Sequence, residues 1–287
     1  MHLAAQPCAP ALDWQFHEIT MKRLLKSAAN TAGILGLVSR FAPERVSIFC
    51  YHGFRPAGPA GSPLETRLMP VNQFEKQLKL FRRYGTPTSL EDLLKPVAEI
   101  SGRRVVITID DGYASTFDHA FPILQKYDWP ATVFLPTGFV DRESLLWTDW
   151  LEFLIWKAPN VSPAFRWNGS TVPLALYSAT QRRSFIAQQK SVLKGMPISD
   201  VLDWLKSLER HIGITYDWSS VPPLLQPLTW DQVRVMRASG LISVGSHTVS
   251  HPILSNCPAD GREAELLDSK HRIETELGAP CHLFAYP

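Results

Sequence analysis

Two carboxylates stand side by side at Asp110 and Asp111, with Gly112 directly after them. Adjacent acids repel unless a cation or a shared proton relieves them, so this pair suits a metal ligand next to a proton acceptor. It equally suits a solvated turn whose acids cap the following helix. A second group is Ser246-His247-Thr248-Val249-Ser250-His251-Pro252, whose two histidines are four residues apart. If that segment is one helical turn, both imidazoles share a face and can grip one metal. Joined to a carboxylate, they make a set of two histidines and one acid with room for water, as catalytic zinc and iron sites require. A third imidazole, His52 in Tyr51-His52-Gly53, reads by itself as a polar loop residue.

The elements that must position these residues are legible as alternating β-branched runs and helix-period segments. The pattern predicts strands over 46–51, 104–109, 131–135 and 241–244, and the start of another over 282–286. Between them it predicts a helix capped by Asn72 with Phe74, Leu78 and Phe81 on one face, a short helix over 90–94, and a helix over 117–127. Further on it predicts a helix from the cap Thr229 to Ser239 with Gly240 as its stop, and a charged helix over 262–277 ending at Gly278. Such alternation argues for parallel strands joined by helices. His52, the Asp110–Asp111 pair and His247 each follow a strand directly, and α/β barrels build their sites at those C-terminal strand ends.

Between Phe139 and Leu228 the alternation lapses into a region holding Trp147, Trp150, Trp156, Trp167, Trp204 and Trp218. Its indoles can stack on sugar rings, or they can be the core of a small helical subdomain. The helical spacing of Trp147, Trp150 and Leu154 favours the core.

Composition narrows the classes. The 287 residues are 45% hydrophobic and carry a net charge of +2, too apolar for a disordered chain and too balanced to bind nucleic acid through bulk electrostatics. Cys8, Cys50, Cys257 and Cys281 show neither C-x-x-C pairing nor regular spacing, so no zinc ribbon or disulfide scaffold is indicated. No stretch reaches the roughly 20 apolar residues of a membrane span. Residues 21–40 open on Met21-Lys22-Arg23-Leu24-Leu25-Lys26 and read as a short basic amphipathic helix able to touch a membrane surface peripherally. Met21 is also a candidate start.

The run Thr108-Ile109-Asp110-Asp111-Gly112 resembles the T-F-D-D-G motif of the polysaccharide deacetylases, the NodB-homology group of carbohydrate esterase family 4. His247-Thr248-Val249-Ser250-His251-Pro252 resembles the family's H-[ST]-x-x-H-P motif, and Phe284-Ala285-Tyr286-Pro287 the opening of its F-A-Y-P-x-G motif. Tyr51-His52, Phe121-Pro122-Ile123-Leu124 and Pro130-Ala131-Thr132-Val133-Phe134 fit the usual surroundings, so the resemblance covers roughly residues 45–140 and 228–287.

The resemblance implies a distorted (β/α) barrel spanning 45–287, with an insertion at about 141–227 and an N-terminal extension over 1–44. It implies Asp110 as general base, and Asp111, His247 and His251 as ligands of a divalent metal, Zn²⁺ before Co²⁺ or Ni²⁺. It places Tyr113, Tyr286 and Pro287 against the substrate, an N-acetylated bacterial cell-wall or surface polysaccharide. The oxyanion-binding residue would be number 288, and the general-acid histidine and acetyl-pocket leucine would lie further on. On that expectation the barrel is incomplete at its C-terminus, and the chain as written is a weak catalyst or a catalytically impaired carbohydrate-binding relative. His52 could then substitute as the acid. Ala285 stands where some members carry an arginine that orients the base. A hydrolase of small amides is the third reading, disfavoured by the insertion. The basic N-terminal segment points to the bacterial cytoplasm or the inner-membrane periphery, whereas a sugar-polymer substrate points to the periplasm or envelope.

Overall fold

The computed structural model describes residues 46–94, 102–160 and 164–287, and residues 46–287 make one compact unit. The basic segment over 21–40 and its membrane contact lie outside the described residues. Among those described, no helix is long and apolar enough to cross a membrane.

The chain enters on β1 (Val46–Tyr51), and two short strands, β2 (Phe54–Arg55) and β3 (Met69–Pro70), pair with each other before α1 (Val71–Phe81). Helix α1 starts one residue before Asn72, on Pro70, so the expected Asn72 cap is corrected. Proline pre-sets the backbone there and no side chain caps the end. Strand β4 (Thr86–Pro87) pairs with the start of β5 (Arg104–Ile109), and residues 91–94 form a 3₁₀ turn where the short helix was expected. Next come α2 (Phe121–Lys126) and β6 (Ala131–Leu135).

The helix expected over 117–127 is split. Residues 116–120 form a π turn in which the Phe121 N–H donates to the Thr116 carbonyl, and α2 starts only at Phe121. Pro122, which has no N–H to give the preceding turn, sits at this junction.

A short α3 (Thr137–Val140) leads into the insertion: α4 (Trp147–Lys157), the hairpin β7 (Phe165–Trp167) and β8 (Ser170–Val172), α5 (Ala179–Leu193) and α6 (Ile198–Ile212). The hairpin turns on Asn168-Gly169, both with positive φ, a two-residue connection whose twist matches its strands. This insertion has a core built on Trp147, Trp150, Leu154, Phe165, Trp204 and Leu208, which Leu64, Leu68 and Tyr113 from outside it join. Trp147, Trp150 and Trp204 are buried, so these indoles pack against protein. Each fully buried Leu or Phe there contributes roughly 1.5–3 kcal/mol. Arg182 closes the end of α4, donating to the carbonyls of Ile155 and Ala158.

The barrel resumes with α7 (Trp230–Ala238), begun by the expected cap: Thr229 accepts from the Gln232 N–H while the Gln232 side chain accepts from the Thr229 N–H. Strand β9 (Ile242–Ser246) and α8 (Ala259–Leu277) follow, the latter ended by left-handed Gly278. The strand expected over 282–286 is reduced to a single parallel bridge between Ser246 and Phe284.

The sheet order is β1-β5-β6-β9, all parallel. Strands β5 and β6 are buried on both faces, as a parallel sheet covered by helices must be, which explains their unbroken apolar runs. Register decides where the polar residues go. Tyr51 pairs with Ile109, Ile109 with Val133 and Leu135 with Ser246, so β1 and β5 finish together and β6 and β9 run two residues further in the same direction. The ladder continues one residue further, with the Asp110 N–H on the Tyr51 carbonyl (2.8 Å) and the His247 N–H on the Leu135 carbonyl (3.0 Å). His52, Asp110, Asp111 and His247 therefore emerge at one rim. Gly245 lets β9 lie this close: a Cβ there would meet the Phe134 ring at 2.5 Å and the Leu283 carbonyl at 2.9 Å.

Candidate active site

At the end of β5 the chain reverses through two successive left-handed residues, Asp111 (φ 71) and Gly112 (φ 62). Aspartate tolerates that region better than most residues, and glycine enters it freely. The turn is pinned by the Leu228 N–H on the Gly112 carbonyl (2.8 Å) and the Ala114 N–H on the Gln226 carbonyl (2.7 Å). The acids of the D-D-G turn thus do not cap the next helix: Asp111 is buried and turned toward the two histidines.

The histidine segment is not the helical turn considered from the sequence. Thr248 (φ 71) and His251 (φ 58) are left-handed, and it is this loop that folds the two rings together, with centroids 4.8 Å apart. The Thr248 hydroxyl accepts from the His251 N–H (3.1 Å). Glu265 on α8 holds the far side, accepting from the N–H groups of Val249 (2.7 Å) and Ser250 (2.9 Å) and from the Ser250 hydroxyl. Glu265→Ala is expected to leave the fold intact and weaken cation binding by about 10–100-fold, the usual cost of losing a partner that orients a ligand. Equilibrium dialysis beside a thermal melt checks it, and unchanged affinity would refute the positioning role.

The Asp111 Oδ1 lies 3.3 Å from His251 Nε2 and 3.7 Å from His247 Nε2. One ligand atom from each of the three falls within 4.8 Å of the others. The His247 Nδ1 sits 2.9 Å from the Ala285 carbonyl, which can only accept, so the proton is on Nδ1 and the Nε2 lone pair faces the carboxylate. Burial and the neighbouring His251 hold the His247 pKa below its ordinary value. Burial alone would raise the Asp111 pKa, but the imidazoles of His251, His52 and His247 outweigh it and the carboxyl stays below its ordinary range. An ionised, buried oxygen 3.3 and 3.7 Å from two imidazole nitrogens, one of them a bare lone pair, is what a divalent cation satisfies. The residues fit the metal.

On the other side of the acid pair, Asp110 Oδ2 accepts from the Cys50 thiol at 3.1 Å. Sequence reasoning missed Cys50. The available signal was its place two residues before His52 at the end of one strand, which puts both side chains on the same face. Partial desolvation of the thiol first, and then Asp110, push the Cys50 pKa up to about 12, so the group beside the carboxylate is a thiol and a donor. Ala285, in the place of an arginine, contributes only its carbonyl, to His247.

Cys50, His52, Arg67, Met69 and Asp111 line a cleft of ≈ 340 Å³ over this rim. Tyr113 borders it with its ring only. The residue is 2% exposed, its hydroxyl donates to Asp149 on α4 (2.7 Å), and burial followed by Asp149 pushes its pKa well above the ordinary value. Arg67 pairs with the same Asp149 and so ties the cleft to the insertion. Tyr286 is 78% exposed, its ring edge-on to Phe284, and Pro287 is half-buried beside it.

Residues 98–287, about two thirds of the chain, match the family described as polysaccharide deacetylase. The chain belongs to that family. Among its curated relatives is YxkH of Bacillus subtilis, assigned to the polysaccharide deacetylases and 31% identical over 97 residues, 32% of each chain. The poly-beta-1,6-N-acetyl-D-glucosamine N-deacetylase of Staphylococcus aureus is 36% identical over 76 residues, 25% of this chain and 26% of its own. The matched stretches thus span a third or less of these deacetylases. The Streptococcus pyogenes deacetylase PplD, solved with acetate, superposes with a TM-score of 0.51 at 20% identity, over 86% of this chain and 75% of that one. That likeness shows the fold, the α/β barrel of the deacetylases.

Proposed function

We propose that this chain is a metal-dependent hydrolase that removes N-acetyl groups from N-acetylated sugars of a bacterial cell-wall or surface polysaccharide. The observation that carries the reading is the juxtaposition at one rim of the Asp111–His247–His251 trio and a separate carboxylate, Asp110, beside an open cleft that Asp111 and His52 line. Two imidazole nitrogens and one carboxylate oxygen form a zinc set with positions left for water and substrate, and Co²⁺ and Ni²⁺ accept the same donors. Such a cation, when bound, polarises the acetamide carbonyl and acidifies a water molecule.

The chain's own residues do the rest. Asp110 takes the proton as the water oxygen adds to the carbonyl carbon. His52, the exposed imidazole across the same rim, gives a proton to the nitrogen as the carbon–nitrogen bond breaks. Acetate and a free sugar amine leave. Tyr113 contributes a ring edge to the cleft wall, and exposed Tyr286 with half-buried Pro287 beside it offers an apolar surface to the sugar. The near-neutral overall charge suits a neutral polymer, and the basic segment over 21–40 suits the cytoplasmic face or inner-membrane periphery.

The test is acetate and amine measured together on an N-acetylglucosamine oligomer. One free amine is expected per acetate. Release of neither from the chain holding its cation would refute the reading.

A further inference from the structure

The rim holds a second group of metal-binding atoms, on the far side of the acid pair from the histidine loop. The thiol of Cys50, one ring nitrogen of His52 and one carboxylate oxygen of Asp110 all lie within 4.8 Å of one another. We propose that Cys50, His52 and Asp110 form a second cation site, distinct from Asp111–His247–His251 and suited to a thiophilic divalent ion of the Zn²⁺, Co²⁺ and Cd²⁺ class.

Four observations support it. The donor set is sulfur, nitrogen and oxygen, which tetrahedral zinc-type ions accept and hard ions such as Mg²⁺ do not. Around a tetrahedral ion with bonds of about 2.0–2.3 Å, ligand atoms stand roughly 3.3–3.6 Å apart. The 3.1 Å between Cys50 Sγ and Asp110 Oδ2 already approaches that, and the remaining spread is within a side-chain rotation. The site is backbone-organised: Cys50 and His52 leave the same strand end on one face, and the Asp110 N–H is fixed on the Tyr51 carbonyl between them. Access is open as well, since Cys50 and His52 are exposed and line the cleft, whereas Asp110 Oδ1 is buried with no hydrogen-bond partner.

Occupancy has a consequence that rests on the hydrolase reading. A cation held here takes Asp110 and His52 out of proton transfer, so excess Zn²⁺ would silence an enzyme that needs one Zn²⁺ to work. Binding itself does not depend on that reading.

Co²⁺ titration of the purified, metal-stripped chain decides it, because thiolate ligation gives a near-ultraviolet charge-transfer absorption that imidazole and carboxylate ligands do not. The wild type is expected to bind about two equivalents with that band present. Cys50→Ser is expected to bind about one equivalent and lose the band, whereas Asp111→Asn is expected to lose the other equivalent and keep it. Cys50 is exposed, so its serine variant should fold, and a melt on each variant confirms it. Absence of the band in the wild type overturns the proposal, as does its persistence in Cys50→Ser, which would assign it to another cysteine. A chain that releases no acetate with one equivalent of cation, before the band appears, and shows the band at two equivalents refutes the hydrolase reading and leaves the site standing.

Discussion

Asp111→Asn is expected to strip the catalytic cation from the chain and to abolish acetate release with it. The substitution changes one oxygen to an amide at nearly constant shape, and asparagine is among the few residues that accept a left-handed backbone such as the φ of 71 here. The fold should therefore survive. What disappears is the negative charge that offsets the cation between two neutral imidazoles. Losing a directly bound anionic ligand should exceed the roughly 10–100-fold loss of affinity seen when an outer orienting partner is removed. Metal content per chain, measured after gel filtration next to a thermal melt, checks this. A folded variant that retained both its cation and its rate would remove Asp111 from the centre.

Asp110→Asn should separate chemistry from metal binding. The Asp110 carboxylate is not one of the trio and takes its hydrogen bond from the Cys50 thiol, so its loss should leave Asp111, His247 and His251 in place. Removing a positioned general base is expected to lower kcat by about 10²–10⁴-fold. The catalytic cation and KM should change little, because the base acts mainly as the water attacks. A rate within a few fold of wild type would move the base elsewhere, and His52 would be the next group to substitute.

Comparing the two carboxylates shows how far the sequence could be read. That both follow the strand Val105–Ile109, and that His52 and His247 follow strands of their own, was visible in the alternation of apolar runs. Parallel pairing then brings all four to the C-terminal rim of the sheet. Periodicity could not show how the chain turns after each strand. The roles of Asp110 and Asp111 diverge because Asp111 and Gly112 are left-handed, and His247 meets His251 through left-handed Thr248 and His251 in place of a helical turn. Both are local φ choices that hydropathy does not encode. Nor could one pattern reveal the long-range partners. Glu265 lies 15 residues beyond Ser250 on the helix α8, and Cys50 lies 60 residues before Asp110. The tryptophan-rich region was legible as a helical core because Trp147, Trp150 and Leu154 repeat at helical spacing, but the Asn168-Gly169 hairpin inside it was overlooked.

Cation dependence of hydrolysis tests the proposed function most directly. Acetate release from an N-acetylglucosamine oligomer is followed on the purified chain as isolated, after exhaustive chelation, and after one equivalent of Zn²⁺ is restored. Release is expected to stop on chelation and to return with the cation. Release that continues undiminished in the chelated chain, or none from the chain holding one Zn²⁺, would contradict a metal-dependent deacetylase built on Asp111, His247 and His251.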